Sequence, residues 1–389
     1  MSRIYLDHNA TTPLAPEVFE SMRPWLTEEF GNASSAHGFG QRARAAVEAA
    51  REEVAGLLRA APGEITFTSG GTEADNLALF GAARLRRERG RHLVASAVEH
   101  HAVLHALEAL QREGFETTLV PVTPQGLVEA GRFLEALRPD TTVAALMLAN
   151  NEIGTLQPVA ELGRELRRRG VVFHTDAVNA VGKVPVDTQA LGVDTLALSA
   201  HKFYGPKGVG AFYLRKGVQV QPVQYGGEQE RALRPGTLNV PGIVGLGAAA
   251  RLARRELSEV GARLAALRDR LQRGLVERVP GVHVMGAGAP RTPNTLDCCF
   301  EGVHGETLIL TLDMQGIAVS SGAACAAGST DPSHVLAAMG VPAELAQSAV
   351  RMSLGRGTTE AEVDRVLEAL PAAVQRLRRL APGAAGPAR

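Results

Sequence analysis

The sequence predicts an α/β protein in which a large domain built on a mostly parallel sheet precedes a smaller α+β domain. Three observations carry that expectation. Short apolar, β-branched runs recur through the first half with helix-like stretches between many of them; the pattern changes near residue 242 to one long Ala/Leu/Arg-rich helix; and short strand-like runs separated by helices follow it.

The elements follow in chain order. Residues 40–59 place alanine and leucine on one face and arginine and glutamate on the other, an amphipathic helix. Strands are expected at 65–68 (ITFT), 92–97 (HLVASA), 117–122 (TTLVPV), 142–148 (TVAALML), 171–175 (VVFHT), 194–199 (DTLALS) and 210–214 (GAFYL). Crossover helices are expected over 72–88, 101–112, 128–137 and 158–169. Beyond the long helix, VHVM, TLDCCF, IAVS and VRMSL read as strands of the smaller domain. The expected division is an N-terminal segment, 1–15, packing with the small domain, a large domain over 16–255, a small domain over 256–380, and a frayed tail, APGAAGPAR, over 381–389. No internal repeat is present, and the apolar spacing of the Arg/Ala/Leu helices is not a sustained heptad.

Composition narrows the function. The 389 residues carry 41 Lys+Arg against 41 Asp+Glu, and 45% are hydrophobic. No apolar run approaches the roughly 18 residues of a membrane span. Balanced charge gives no electrostatic footprint for nucleic acid or an anionic membrane, so neither is expected as a direct partner. Three cysteines, with no CxxC pair, cannot build a disulfide framework or a zinc knuckle, and a reducing cytoplasm is the expected setting. The opening MSRIYLDHNATTPLAPEV lacks the basic and apolar regions of a secretory signal and is expected to be part of the folded protein. Only Lys183, Lys202, Lys207 and Lys216 are lysines, all within 34 residues; the other basic residues are arginine. Lysine alone of the two has an amine that can lose its proton near neutrality and form a Schiff base.

Four segments concentrate chemistry. In ITFTSGGTEADN (65–76) a strand enters a Ser-Gly-Gly turn and a helix start, where exposed amides favour a phosphate; the alternative is an ordinary turn with Thr72 as helix cap. Asp176 ends the strand in VVFHTDAVNAVG, suited either to capping or to pairing with a buried cation. Ser199, His201 and Lys202 follow the next strand in LSAHKFYGPKG, and Lys202 is held between strand end and glycine turn. Lys183, Lys207 and Lys216 have surface roles as their default. A lysine for an aldehyde, a carboxylate for a pyridinium nitrogen and a helix N-terminus for a phosphate are what pyridoxal 5'-phosphate requires, and the carboxyl edge of an open sheet is where such ligands bind. Nicotinamide and ATP lack their signatures, GxGxxG after the first strand and GxxxxGK[ST]. His101 and His105 stand four apart on a predicted helix, but no third ligand follows at usable spacing and no stable metal site is expected; His100, just after a strand end, is placed to lie on a cofactor ring. Last, Cys325 in SSGAACAAGSTDPS sits among small, turn-forming residues. That setting suits an accessible nucleophilic thiolate, whereas Cys298 and Cys299 in TLDCCF read as packing residues.

Taken in order, LDHNATTP, NASSAHGFGQRAR, TSGGTEADN, VEHHAV, ANNEIGTLQP, HTDAVNAVGK, SAHKFYGPKGVG, RPGT, SSGAAC and VRMSLGR resemble the pyridoxal-phosphate cysteine desulfurases of the class V aminotransferase group, from about residue 3 to residue 370. The resemblance implies the fold type I aminotransferase architecture. The long segment around Cys325 is similar to the branch that serves iron–sulfur cluster assembly and nitrogen fixation. It further implies that Lys202 binds the cofactor covalently, Asp176 pairs with the ring nitrogen and His100 stacks on the ring. Gly71, Thr72, Ser199 and His201 would hold the phosphate, with Thr237 reaching in from the second subunit of a homodimer. Asn151 would border cofactor and substrate, and Arg351 would bind the substrate carboxylate. Cys325 would accept sulfur from L-cysteine as a persulfide, releasing L-alanine, and would hand it to a sulfur acceptor or iron–sulfur scaffold, with tRNA thiolation a further outlet and transient cluster ligation by Cys325 open to it. Two departures stand out: Asn179 replaces the family's glutamine at the phenolic oxygen, and Pro235 precedes Gly236 and Thr237. A selenocysteine lyase or a class V aminotransferase would keep Lys202 and Asp176; a non-catalytic interaction protein on this fold would be expected to lack Lys202, Asp176 or Cys325.

Overall fold

The computed structural model describes residues 3–322 and 332–380. After β1 (Ile4–Tyr5), seven strands make the main sheet: β2 (Ile65–Thr68), β3 (His92–Ser96), β4 (Glu116–Val120), β5 (Thr141–Ala145), β6 (Val172–Asp176), β7 (Thr195–Ser199) and β8 (Gly210–Leu214). Their order is β2-β8-β7-β6-β5-β3-β4, with β8 antiparallel to both neighbours and every other pairing parallel. Because helices cover both faces, β2, β3, β5, β6 and β7 are buried at every residue, which is why they read as unbroken apolar runs. The expected mostly parallel sheet is therefore present, and the carboxyl ends of β2, β3, β5, β6 and β7 share one edge.

The predicted helix over 128–137 is shorter, Ala130–Glu135. Ahead of it, Gln157 ties the chain down, accepting from the Val128 N–H at 2.9 Å and donating to the Gly126 carbonyl at 2.7 Å. The long helix, Val240–Arg278, is capped by Asn239, whose Oδ1 accepts from Gly242 N at 3.1 Å. Its first half buries Ile243, Leu246 and Leu252 in the main core, and its second half buries Leu264, Leu271 and Leu275 in a separate core. Gly247 lets it approach the Gly38–Leu58 helix: a Cβ there would stand 2.7 Å from Ala50 Cα.

The second core is roofed by an antiparallel sheet of β9 (Val282–Val284), β10 (Thr295–Phe300) and β12 (Ala349–Ser353), in the order β12-β10-β9, with β11 (Ile317–Ala318) pairing parallel to β1. Cys298 and Cys299 of β10 are wholly buried. Among the described residues no helix is long and apolar enough to cross a membrane.

Edge strand β2 would present unpaired amides and carbonyls on its outer side. Instead the Phe67 N–H donates to Glu230 Oε2 at 2.8 Å, and the Ile65 carbonyl accepts from Arg51 Nη1 at 2.9 Å and Arg231 Nη2 at 2.7 Å. Arg51 grips Glu230 through two nitrogens, at 2.7 and 2.9 Å, with both side chains buried. Removing Glu230 leaves the buried Arg51 with only the exposed carboxylate of Glu48, 3.1 Å from its Nε, to offset its charge. Glu230→Ala is expected to destabilise the protein by about 3 kcal/mol in urea unfolding; a change below about 0.5 kcal/mol would show that the pair does not hold the edge.

Candidate active site

Each strand that ends at the shared edge delivers polar residues to one cavity of about 290 Å³. From β2, the chain passes Gly70 into the Gly71–Leu85 helix, so Thr72 lies inside its first turn. The cap is Gly70, with no side-chain cap bond, and the expectation of Thr72 as cap does not hold. A Cβ on Gly71 would stand 2.5 Å from Val178 Cγ2, so only glycine permits this closeness of helix start and β6 turn. Thr72 and Ser199 both line the cavity, and the amides of the first turn carry the positive end of the helix dipole. His201 joins them, its Nδ1 3.1 Å from Thr11 Oγ1; burial, then Lys202, holds its pKa down to about 4, so the ring is neutral.

Asp176 closes β6 and is fully buried; Oδ1 accepts from Val178 N at 2.8 Å. Burial pushes its carboxyl up, while His100 and Lys202 pull it down. A carboxylate held in this way is offset by a cation placed against it. On the same strand face, two residues earlier, His174 Nε2 lies 3.0 Å from Asp75 Oδ1, both side chains wholly buried. His174 is kept neutral, its pKa pushed by burial down to about 3. Asp75 also lines the cavity, and burial, then the charges of Asp176 and Glu99, raise its pKa well above the usual range. Glu99 itself is pushed by burial up to about 7; it accepts from Ser96 Oγ at 2.5 Å and Met147 N at 2.9 Å.

His100 does two things at once. It caps the His101–Arg112 helix, with Nδ1 accepting from Ala102 N at 3.1 Å, and its ring lines the cavity. An accepting Nδ1 leaves the proton of the neutral ring on Nε2. His101 and His105 have ring centroids 5.0 Å apart, and His334 lies 4.6 Å from His101. Among the described residues no group of three His, Cys, Asp or Glu side chains is arranged to hold a metal.

Lys202 Nζ donates to the carbonyls of Asn9, at 2.5 Å, and Ala10, at 3.0 Å. These belong to the segment after β1, which the sequence reading quoted as a motif without assigning roles. Asn9 also donates from Nδ2 to Thr295 Oγ1 at 2.9 Å and the Asn151 carbonyl at 3.1 Å. Lys183 corrects the reading of it as a surface residue: it is half-buried, and its amine donates to Asn9 Oδ1 at 3.0 Å and to Asn179 Oδ1. The helical turn Ala177–Lys183 brings it under Asn179, a placement that its glycine neighbour disguised. Asn179 in turn donates from Nδ2 to the Asn150 carbonyl at 3.2 Å.

Arg351 is 1% exposed and lines the cavity floor. Nη1 donates to the carbonyls of Asn151, at 2.9 Å, and Gly322, at 3.0 Å, and Nη2 donates to Asp7 Oδ1 at 2.8 Å. Its Nε is buried without a hydrogen-bond partner among the described residues. Five donors less these three contacts leave Nε–H and one Nη2 hydrogen, a donor set that fits a carboxylate. Asp7 was not anticipated. Thr237 is exposed and does not line this cavity, and Cys325 lies outside the described residues.

The donor set fits pyridoxal phosphate: an amine, a buried carboxylate, a flat imidazole and an anion cradle converge in one space. A model of the class-V aminotransferase family matches residues 4–366. The chain is 48% identical over 379 residues to a protein of Methanosarcina thermophila named cysteine desulfurase IscS, covering 97% of this chain and 94% of that one. Among solved structures, a NifS-like protein superposes with a TM-score of 0.90 at 41% identity, covering 96% of this chain and 100% of the other. A structure described as SspA in complex with cysteine superposes with a TM-score of 0.81 at 35% identity, covering 90% and 98% of the two chains.

Beneath Arg351, its register partner Asp297 on β10 is wholly buried, and neither carboxyl oxygen has a hydrogen-bond partner among the described residues. Burial, then the charge of Glu152, raises its pKa from 3.8 to about 8, with Arg351 pulling the other way. The folded state therefore holds this proton more tightly than the unfolded chain, so the associated stability is present below the unfolded value and is lost as pH rises through the folded one. Asp297→Asn removes that titration. Urea unfolding is expected to show the variant gaining on the parent by roughly a few kcal/mol between about pH 4 and about pH 8; a stability difference independent of pH would contradict the assignment.

Proposed function

The chain belongs to the class-V aminotransferase family, and from that premise we infer that it is a cysteine desulfurase, taking sulfur from L-cysteine, leaving L-alanine and supplying iron–sulfur cluster assembly. The observation that carries this reading is the convergence of Lys202, Asp176, the Gly71–Thr72 helix start and the unsatisfied donors of Arg351 on one cavity. Pyridoxal 5'-phosphate, when bound, supplies an electron sink for breaking bonds at the substrate α-carbon.

The chain's residues supply the rest. Lys202 would hold the cofactor aldehyde through its amine, and the same amine would move the α-proton of the bound substrate. Asp176 holds the ring nitrogen in its protonated form, and Thr72, Ser199 and His201 hold the phosphate with the helix amides. His100 lies on the ring, and its Nε2 proton can be handed to a group on the substrate as the bonds rearrange. Arg351, steadied by Asp7, receives the substrate carboxylate, and Asn151 borders it. The Cys325 thiolate attacks the substrate sulfur; the bond from that sulfur to the β-carbon breaks, its electron pair returns to the carbon, and a proton completes L-alanine. Cysteine plus the Cys325 thiol thus gives alanine plus a Cys325 persulfide, with no external oxidant.

The reading extends to a cytoplasmic homodimer. Thr237, exposed and outside the lining of its own chain's cavity, suits a residue lent to the partner's phosphate site. A sulfur-acceptor or scaffold protein collects the persulfide sulfur, and tRNA thiolation is a further outlet.

Lys202→Ala is expected to lose the covalently held cofactor and its visible absorbance while remaining folded. Cys325→Ala is expected to keep the absorbance and lose L-alanine formation from L-cysteine by about 100-fold or more. A Lys202→Ala protein with the parent's colour, or a Cys325→Ala protein with the parent's rate, would refute the corresponding role.

A further inference from the structure

Glu152 is a buried acid to which the proposed chemistry gives no task. It follows Asn151 on the turn after β5, and Asn150 holds that turn: its Oδ1 accepts from the Glu152 N–H at 2.9 Å and the Ile153 N–H at 3.1 Å, while its Nδ2 donates to the Val98 carbonyl at 3.1 Å. Asn151 lines the cavity, and the next side chain runs into the interior. There Glu152 Oε2 accepts from Ser333 Oγ at 2.5 Å. The same oxygen lies 3.4 Å from where a Cβ on Gly322 would stand, as does Asp297 Oδ2. One carboxyl oxygen is therefore set against both Gly322 and Ser333, the residues that bound the stretch 323–332 in which Cys325 occurs.

Both of these residues are tied down. The Gly322 carbonyl accepts from Arg351 Nη1 at 3.0 Å, and its N–H donates to Ser320 Oγ at 3.2 Å. Its φ of +83° favours glycine, and a side chain there would meet both carboxyl groups. Ser333 Oγ accepts from the Val335 N–H at 3.1 Å and the Leu336 N–H at 3.3 Å, capping the helix His334–Ala338. With both lone pairs of the hydroxyl engaged, its one hydrogen is committed to Glu152.

We propose that Glu152 is a positioning residue for the sulfur-transfer step: together with Arg351 it fixes Gly322 and Ser333, and through them it limits where the Cys325 thiol can meet the substrate sulfur. The guanidinium that would receive the substrate carboxylate also holds the Gly322 carbonyl, so one anchor of the stretch belongs to the substrate site itself. Fixing both ends of a short chain restricts the volume its middle explores, which raises the effective concentration of a nucleophile carried there. The tie needs only an oxygen that accepts from Ser333, and it does not depend on the charge of Glu152.

This inference rests on Cys325 being the sulfur acceptor, and its test separates the two claims. Cofactor-loaded Glu152→Ala, Glu152→Gln and Ser333→Ala proteins are compared with the parent in two measurements. The first is binding of L-alanine, followed in the visible cofactor band, because L-alanine engages Lys202 and Arg351 but has no sulfur to give. The second is the rate at which sulfur from L-cysteine appears on the peptide that contains Cys325, by rapid quenching and mass spectrometry. Glu152→Ala is expected to bind L-alanine within about threefold of the parent and to transfer sulfur about 10-fold more slowly. Ser333→Ala loses the same bond from the other side; it is expected to be slowed likewise, and it decides the matter should Glu152→Ala not fold. Glu152→Gln keeps an acceptor for Ser333 and is expected to transfer sulfur within about threefold of the parent. The inference is overturned if either alanine substitution leaves transfer at the parent's rate, or if the Gln variant is as slow as Glu152→Ala. It is overturned too if L-alanine binding falls in step with transfer, since that marks a general structural role. Absence of added sulfur on Cys325 in the parent would instead overturn the nucleophile assignment beneath it.

Discussion

Lys202, His201 and Arg351 are held against the segment Asp7–Thr12, which follows β1. Asp7 pairs with Arg351, His8 Nδ1 lies 3.1 Å from the Ser353 carbonyl, and Thr12 donates from Oγ1 to the His201 carbonyl at 2.9 Å. Asn9 sits at its centre and saturates almost every donor and acceptor it has: Ser353 Oγ accepts from its amide at 2.9 Å, Asn294 donates to its Oδ1 at 3.0 Å, and both lysines donate to its oxygens. A buried network of this kind is stabilising only when complete, because each orphaned group costs about 1–3 kcal/mol. The same bonds that satisfy the segment therefore set where Lys202 and Arg351 stand.

The second constraint is electrostatic. Asp75 and Asp176 line the cavity together with Lys202 and Arg351, and Glu99 and Lys183 lie close enough to feel their charges. Gathering both signs of charge in a buried pocket is unfavourable for the fold, and burial shifts Asp75, Asp176, Glu99 and Lys183 toward their neutral forms. The arrangement suits a ligand that carries both signs, a cationic ring nitrogen toward Asp176 and carboxylate or phosphate toward Arg351 and the helix amides. What weakens the apo site is thus complementary to what would occupy it.

Much of this was legible in the sequence, and for a definite reason. In a parallel sheet the residues after every strand arrive at one edge, so Asp176, Ser199, His201 and Lys202 could be grouped from strand ends alone. The fully apolar runs that mark such strands made those ends easy to find. Asp7 and Asn9 were not readable in this way, since their partners lie as far as 344 residues along the chain. Lys183 was misread because glycine before it suggested a surface turn, although its four-residue spacing from Asn179 was available as a clue. The His174–Asp75 pair also escaped notice; a polar residue two before Asp176 on a buried strand was the signal. The sequence placed His100 on a cofactor ring but did not show that the same side chain also caps its helix.

The central claim is that this cavity delivers sulfur to Cys325. Mass spectrometry of the cofactor-loaded protein after incubation with L-cysteine, with peptide mapping, tests it most directly. The account predicts one added sulfur atom on the peptide that contains Cys325 and none on Cys298 or Cys299, whose thiols are buried and pushed up out of the thiolate range by burial and by Asp297. L-Alanine released without sulfur on Cys325, or sulfur carried instead by Cys298 or Cys299, would contradict it.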